Sequence, residues 1–192
     1  MDEIEDIYTI FDKYSDNYTT NLNGTDKNTV HNYLFFYNKL FKNMRMQSLN
    51  ILEIGILSGA SLVAWSEYFQ NSKIYGVDID LTRIKFEFND RIQIFQGNSS
   101  DNTIYTTLKN TVGYMDIIIE DASHSLEDQL KAIEYTTILL KKGGLLILED
   151  VQSFESMPIL KAKAIENNFS FDYIDNRKSG RYDDILAILT KL

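Results

Sequence analysis

The sequence has no cysteine, one proline, one tryptophan and only two histidines. Without cysteine there is no disulfide framework, no thiolate nucleophile and no sulfur-ligated zinc site. With His31 and His124 as the only imidazoles, metal chemistry would have to rest mainly on carboxylates. Net positive charge is missing too: 19 Lys and Arg stand against 28 Asp and Glu, a formal charge of −9. That balance argues against a general nucleic-acid binder, because phosphate backbones select basic faces. No apolar run reaches membrane-spanning length, and the opening MDEIEDIYTIF is acidic and amphipathic, the reverse of a basic signal peptide. The expectation is a soluble, cytoplasmic protein that engages neither nucleic acid nor membrane. Repeats, low-complexity tracts and linkers are also lacking, so the 192 residues read as a single domain with a core of ordinary size.

What is present is a change of period. Residues Asp2–Tyr14 carry a helical stripe (Ile4, Ile7, Tyr8, Phe11), and a polar stretch with an Asn23-Gly24 turn follows. A second helix is expected over Val30–Met46, with Tyr33, Leu34, Tyr37, Leu40 and Phe41 inward. These helices make residues 1–47 an N-terminal cap on a core running from 48 to 192. From Leu49 onward short apolar runs alternate with helical segments. Strands are expected at Ile51–Ile54, Lys73–Val77, Ile92–Phe95, Met115–Ile119, Leu145–Leu148, Ser170–Ile174 and Ile185–Leu189. Helices are expected at Ala60–Phe69, Leu81–Phe88, Asn102–Asn110, Leu126–Lys141 and Ile159–Asn167. The alternation implies an α/β fold, a seven-stranded and mostly parallel sheet with helices on both faces. The sheet edges and the aromatic N-terminal helices make a homodimer an expectation.

The chemistry concentrates between Asp116 and Asp150. One apolar run there ends in Glu120-Asp121, with His124 three residues on; a helix and a Gly143-Gly144 turn lead to a second run ending in Glu149-Asp150. Two strands delivering carboxylates and a histidine to one sheet edge would form a metal site with a base beside it. The bland alternatives are solvated strand-end acids and a histidine that caps a helix. Upstream, LEIGILSGAS reads as a strand ending at Glu53, a turn at Gly55 and a helix beginning near Gly59–Ser61. This is E-x-G-x-x-x-G, not the G-x-G-x-x-G of a dinucleotide fold, so a carboxylate stands where pyrophosphate would sit. A ligand bearing ammonium and hydroxyl groups suits it better. Asp78, at the end of IYGVDID, is placed to accept ribose hydroxyls, while Asp80 reads equally as a helix cap. Asn98, Ser99 and Asp101 in QGNSSD are candidates for an adenine edge. Lys27 and His31 either close over the ligand or belong to a surface loop. Arg177, Lys178 and Arg181 form a small basic group before the last strand.

These stretches resemble motifs of class I S-adenosylmethionine-dependent methyltransferases over nearly the whole chain. More narrowly, the chain is similar to the metal-dependent sugar O-methyltransferases that modify macrolide sugars and related glycosides. The residues carrying the likeness are Gly24–Lys27 with His31 and Tyr33, LEIGILSGASLVAW, IYGVDID, the DASH segment and LLILEDV. Two positions depart from the family's pattern: Ala122 stands where a glycine is usual, and Asn98 where an aspartate is usual. The resemblance implies a Rossmann-like fold, S-adenosyl-L-methionine as methyl donor, and Mg2+ or Mn2+ bound by Asp121, Glu149 and Asp150. It implies His124 as the general base toward a sugar hydroxyl of a glycoside, glycan precursor or nucleotide sugar. Cofactor contacts are expected from Glu53, Gly55, Ser61, Asp78, Asn98, Ser99, Asp101 and Asp121, with Lys27 and Tyr33 from the N-terminal segment. The rival readings are a metal-independent N- or C-methyltransferase, a nicotinamide-dependent oxidoreductase and a non-catalytic adenosyl-ligand binding module.

Overall fold

The computed structural model describes residues 5–15 and 23–192. Two short helices, α1 (Ile7–Asp12) and α2 (Leu34–Phe41), precede an alternation of strands and helices. It runs β1 (Asn50–Ile54), α3 (Ala60–Tyr68), β2 (Lys73–Asp78), β3 (Ile92–Gln96), α4 (Asn102–Val112) and β4 (Met115–Glu120). It continues with α5 (Leu126–Tyr135), β5 (Leu140–Leu148), α6 (Met157–Glu166), β6 (Phe169–Asp175) and β7 (Ile185–Lys191). The strands form one sheet in the order β3-β2-β1-β4-β5-β7-β6. β3 through β5 are parallel, and β7 runs antiparallel between β5 and β6. The seven strands and the mostly parallel sheet agree with the expectation. Strand order reverses between β1 and β4, and open α/β sheets bind their ligands at such a crevice, outside the carboxyl ends of the strands.

The central strands read as unbroken apolar runs because both of their faces are covered. Period-two alternation sends Ile51, Ile117, Ile119 and Ile147 to one face, where they meet Phe11, Tyr37 and Trp65 of α1, α2 and α3. Leu52, Ile118, Leu146 and Leu148 go to the other, against Leu108, Ile133 and Leu160 of α4, α5 and α6. Each such aliphatic side chain, fully buried, contributes about 1.5–3 kcal/mol. Trp65, fully buried, packs edge-on against Phe11 at 4.6 Å and Tyr37 at 5.2 Å. Among the described residues no helix is long and apolar enough to cross a membrane.

Five expected elements differ, each for a local reason. The helix expected over Leu81–Phe88 is only a 3-10 turn at Leu81–Arg83. Ile84 is extended, and the Lys85 N–H donates to Ser58 O across the glycine loop, so helical pairing stops. The helix from Leu126 ends at Tyr135, passes through a 3-10 turn at Thr136–Ile138, and Leu140 already belongs to β5. Gly143-Gly144 is thus not a turn before the strand but lies within β5, beside a register shift against β4. The helix expected from Val30 begins at Leu34, because residues 27–33 fold into turns with Asn32 left-handed at φ 53°. The first helix is confined to Ile7–Asp12, while the start of its expected span, residues 2–4, lies outside the described residues.

Gly55 shows why the first turn needs a glycine. Its φ is +86°, and a Cβ there would lie 2.2 Å from Asp121 O, since β4's exit crosses directly over it. Gly143 is also left-handed, at +77°, but a Cβ there meets nothing within 4 Å. Gly143→Ala is expected to cost about 1–2 kcal/mol, the left-handed penalty alone. Gly55→Ala should cost that plus about 1–3 kcal/mol of overpacking. Urea midpoints compare them directly, and equal losses would reject the close approach.

A candidate active site at the strand ends

A cavity of about 760 Å³ opens at the carboxyl ends of β1, β2, β3 and β4, within the size range of small-molecule sites. Of the sequence candidates, Gly55, Ser61, Asp78, Asn98, Ser99, Asp121, His124 and Asp150 line it. Lys27, Tyr33, Glu53, Asp101 and Glu149 lie outside its lining. Asp101 instead caps α4, its Oδ1 accepting from Thr103 N at 2.9 Å. Asp80 caps the 3-10 turn, accepting from Thr82 N at 3.0 Å. Asp78 both faces the cavity and pins the glycine loop: Oδ2 accepts from Ile56 N and Leu57 N at 2.9 Å each.

Lys27 lies in the acid cluster rather than over the ligand. Its side chain is 1% exposed, and Nζ sits 2.6 Å from Asp121 Oδ2, 2.7 Å from Glu149 Oε2 and 3.2 Å from Glu53 Oε1. Neither Glu53 oxygen has a hydrogen bond of good geometry, so the attraction to Lys27 there is an ion pair only. Burial opposes the Lys27 charge, but Asp121, Glu149 and Glu53 outweigh it and hold its pKa well above that of a free lysine. Burial pushes the Glu53 and Glu149 carboxyls up, with Lys27 pulling both back toward ionisation. The Tyr37 hydroxyl donates to the other Glu149 oxygen. Both Glu149 oxygens are therefore engaged within the protein, and Glu149 stands outside the group of side chains that converge at the cavity.

That group is Asp121, His124 and Asp150, whose nearest donor atoms all lie within 4.8 Å of one another. One oxygen of each carboxylate is committed. Asp121 Oδ2 meets Lys27, and Asp150 Oδ1 accepts from Tyr33 OH at 2.5 Å and lies 3.3 Å from His31 Nδ1. The other oxygens, Asp121 Oδ1 and Asp150 Oδ2, are each 4.0 Å from a His124 ring nitrogen. Among the described residues the buried His124 Nδ1 has no hydrogen-bond partner, which is costly unless a further group completes the site. Two carboxylate oxygens and an imidazole fit a hard divalent cation better than a thiophilic one.

The backbone around the cavity is strained. Leu57, His124 and Asp150 are left-handed at φ 46°, 58° and 51°, and all three line the cavity. Non-glycine residues in this region are uncommon and collect at functional sites. At Asp150 the left-handed turn ends the alternation of β5 and carries its carboxylate to Tyr33 and His31.

His31, buried, pairs with Asp184 Oδ1 at 2.8 Å and with Asp26 Oδ2 at 3.5 Å. Burial works against its charge, but Asp26, Asp150 and Asp184 prevail and push its pKa up to about 9. Burial raises the Glu120 carboxyl to about 8, so it is largely neutral at pH 7. Sequence reasoning missed Asp128. It lines the cavity and accepts from the hydroxyls of Ser100, Ser123 and Ser125, the last two at 2.5 and 3.0 Å. The S-S-D and S-H-S patterns around it were the available signal. The Arg177, Lys178 and Arg181 group is largely neutralised, since Arg177 forks onto Asp175 and Arg181 onto Asp183.

Two outcomes follow for stability. His124→Gly should be more stable than His124→Ala by about 1 kcal/mol, because only glycine occupies φ 58° without strain; equal urea midpoints would remove the strain. The hydroxyls of Ser100 and Ser123 hold the Asp128 carboxyl down at about 2 against an ordinary 3.8. A depressed carboxyl stabilises the fold fully above its unfolded pKa and loses that contribution as pH falls through its folded pKa. The gap in urea midpoint between wild type and Asp128→Asn should therefore be constant above about pH 5 and close between about pH 4 and 2. A gap that widens on acidification contradicts the assignment.

With the geometry in place, comparison with known proteins is informative. A model of a methyltransferase domain matches residues 52–151, just over half of the chain. The chain is similar to 8-demethyl-8-alpha-L-rhamnosyl tetracenomycin-C 2'-O-methyltransferase of Streptomyces olivaceus, 31% identical over 138 residues, covering 68% of this chain and 36% of that protein. It is similar to demethylmacrocin O-methyltransferase of Streptomyces fradiae, 30% identical over 130 residues, covering 64% of this chain and 32% of that one. Among solved structures it resembles the MycE methyltransferase from the mycinamycin biosynthetic pathway in complex with Mg and SAH. The TM-score is 0.77 at 23% identity, over 98% of this chain and 55% of that one. At that identity the likeness concerns the fold, and the chain spans about a third of the length of the curated relatives it matches. Match and fold agree: the chain belongs to the methyltransferase domain family.

Proposed function

We propose that the chain transfers the methyl group of S-adenosylmethionine to a sugar hydroxyl in a reaction that depends on a divalent metal. The observation that carries this reading is the convergence of Asp121, His124 and Asp150 at the rim of the strand-end cavity. The relatives support it, since those named above are O-methyltransferases, one of them named for a rhamnosyl substrate. The neutralised Arg177 and Arg181 favour an uncharged glycoside over a nucleotide-linked sugar.

Asp121 and Asp150 would hold the metal, Mg2+ or Mn2+, each through the oxygen not committed to Lys27 or Tyr33. Bound there, such an ion supplies Lewis acidity that lowers the pKa of the acceptor hydroxyl and fixes its orientation. His124 takes the hydroxyl proton at Nε2. Asp78 and the loop Gly55–Ser58 hold the donor's ribose end. Asn98 and Ser99 border its base. The sulfonium methyl carries its own leaving group, so the chain's remaining task is in-line alignment of sulfur, carbon and oxygen.

The test is methyl transfer to a panel of rhamnosyl and deoxysugar glycosides, read as S-adenosylhomocysteine formed. Turnover should disappear in EDTA and return with Mg2+; full turnover in EDTA would sink the metal requirement. His124→Ala should lower kcat by about 10²–10⁴-fold while leaving S-adenosylhomocysteine and Mn2+ binding intact. Loss of Mn2+ binding in that variant would instead make His124 a third ligand, the second reading that the same distances allow.

A further inference from the structure

Three of the acids at the strand ends share one partner. Glu53, Asp121 and Glu149 come from three adjacent strands or their exits, and all three face the same ammonium, Lys27 Nζ, at 2.6–3.2 Å. Lys27, Glu53 and Glu149 are each no more than 2% exposed, so water cannot screen the charges. Buried carboxylates this close would repel one another or take up protons unless a cation stood between them. Lys27 lies outside the stretch matched by the methyltransferase-domain model, residues 52–151, and so do Tyr33 and Tyr37, which hold Asp150 and Glu149.

We propose that Lys27 is a positioning residue, the internal counter-cation of the Glu53–Asp121–Glu149 trio. It keeps the strand ends together without metal and, by engaging Asp121 Oδ2, leaves Asp121 Oδ1 as the metal-facing oxygen. Lys27 touches no reacting group and lines no part of the cavity. It acts through Asp121. The chain is then folded and preorganised before a divalent ion arrives, and the ion is a ligand rather than a structural element. This last point and the metal-facing role of Asp121 Oδ1 rest on the metal reading given above.

The test compares wild type, Lys27→Met, Glu149→Gln and the double variant by thermal unfolding in EDTA and in millimolar Mn2+. In EDTA, Lys27→Met should lower Tm by about 6–20 °C, because it leaves buried charge uncompensated. Glu149→Gln in the Lys27→Met background should recover part of that loss, since it removes one of the three charges that lost their partner. Mn2+ should raise the Tm of Lys27→Met by more than it raises that of wild type, by supplying the missing charge. An undiminished Tm for Lys27→Met in EDTA would overturn the proposal, as would failure of Glu149→Gln to recover any of the loss. The double variant gives this answer even where Lys27→Met does not fold. If wild type and Lys27→Met both ignore Mn2+ while the double variant is still recovered, the counter-cation role stands and the metal reading falls.

Discussion

One ammonium inside a ring of carboxylates sets the terms for the rest of the molecule. A lysine 1% exposed is tolerated only with its charge matched, and the matching groups here arrive from strands that do not neighbour it in sequence. Satisfying Lys27 requires β1, β4 and β5 to end at the same height. It also requires the N-terminal segment to lie across that edge, where Tyr33 N donates to Lys27 O at 2.8 Å and fixes the turn. The aromatic layer of Phe11, Tyr37, Phe41 and Trp65 then covers the sheet face below the ion pair and keeps water from it.

Much of this was legible from residue order. The apolar runs fixed the strands because their period and composition leave few alternatives once both faces are buried. Even the direction of the acids is written in the alternation: Glu53 follows Ile51 by two, Asp121 follows Ile119, and Glu149 follows Ile147. Those isoleucines all face the layer of α1, α2 and α3, which is where Lys27 enters. The role of Lys27 itself was not legible, since its partners are 26 to 122 residues distant and nothing local distinguishes it from a surface lysine. Asp150 was legible as a strand-end acid, but its orientation was not: a left-handed residue breaks the period-two rule, and no composition signal announces one at an aspartate. The failed helix after Asp80 is also a tertiary effect, because Ser58 O takes the Lys85 N–H that a helix would have used internally.

Family membership and local chemistry bear on different parts of the chain. The matched stretch, 52–151, holds the strand-end carboxylates, His124 and the glycine turn. The groups that engage these carboxylates, Lys27, His31, Tyr33 and Tyr37, precede it, and Asp184, which anchors His31, follows it. The matched stretch thus provides the strand-end carboxylates, and flanking residues decide which of their lone pairs remain available there.

The contact between His31 and Asp184 has a temporal side. The two are 153 residues apart, and Asp184 immediately precedes β7, the strand inserted between β5 and β6. On a ribosome, the parallel strands from β1 to β5 can emerge and pair while His31 still lacks its anchor. His31 gains that partner only once Asp184 has been made. Non-local pairings of this span slow folding, so the packing of His31 at the cavity waits on Asp184.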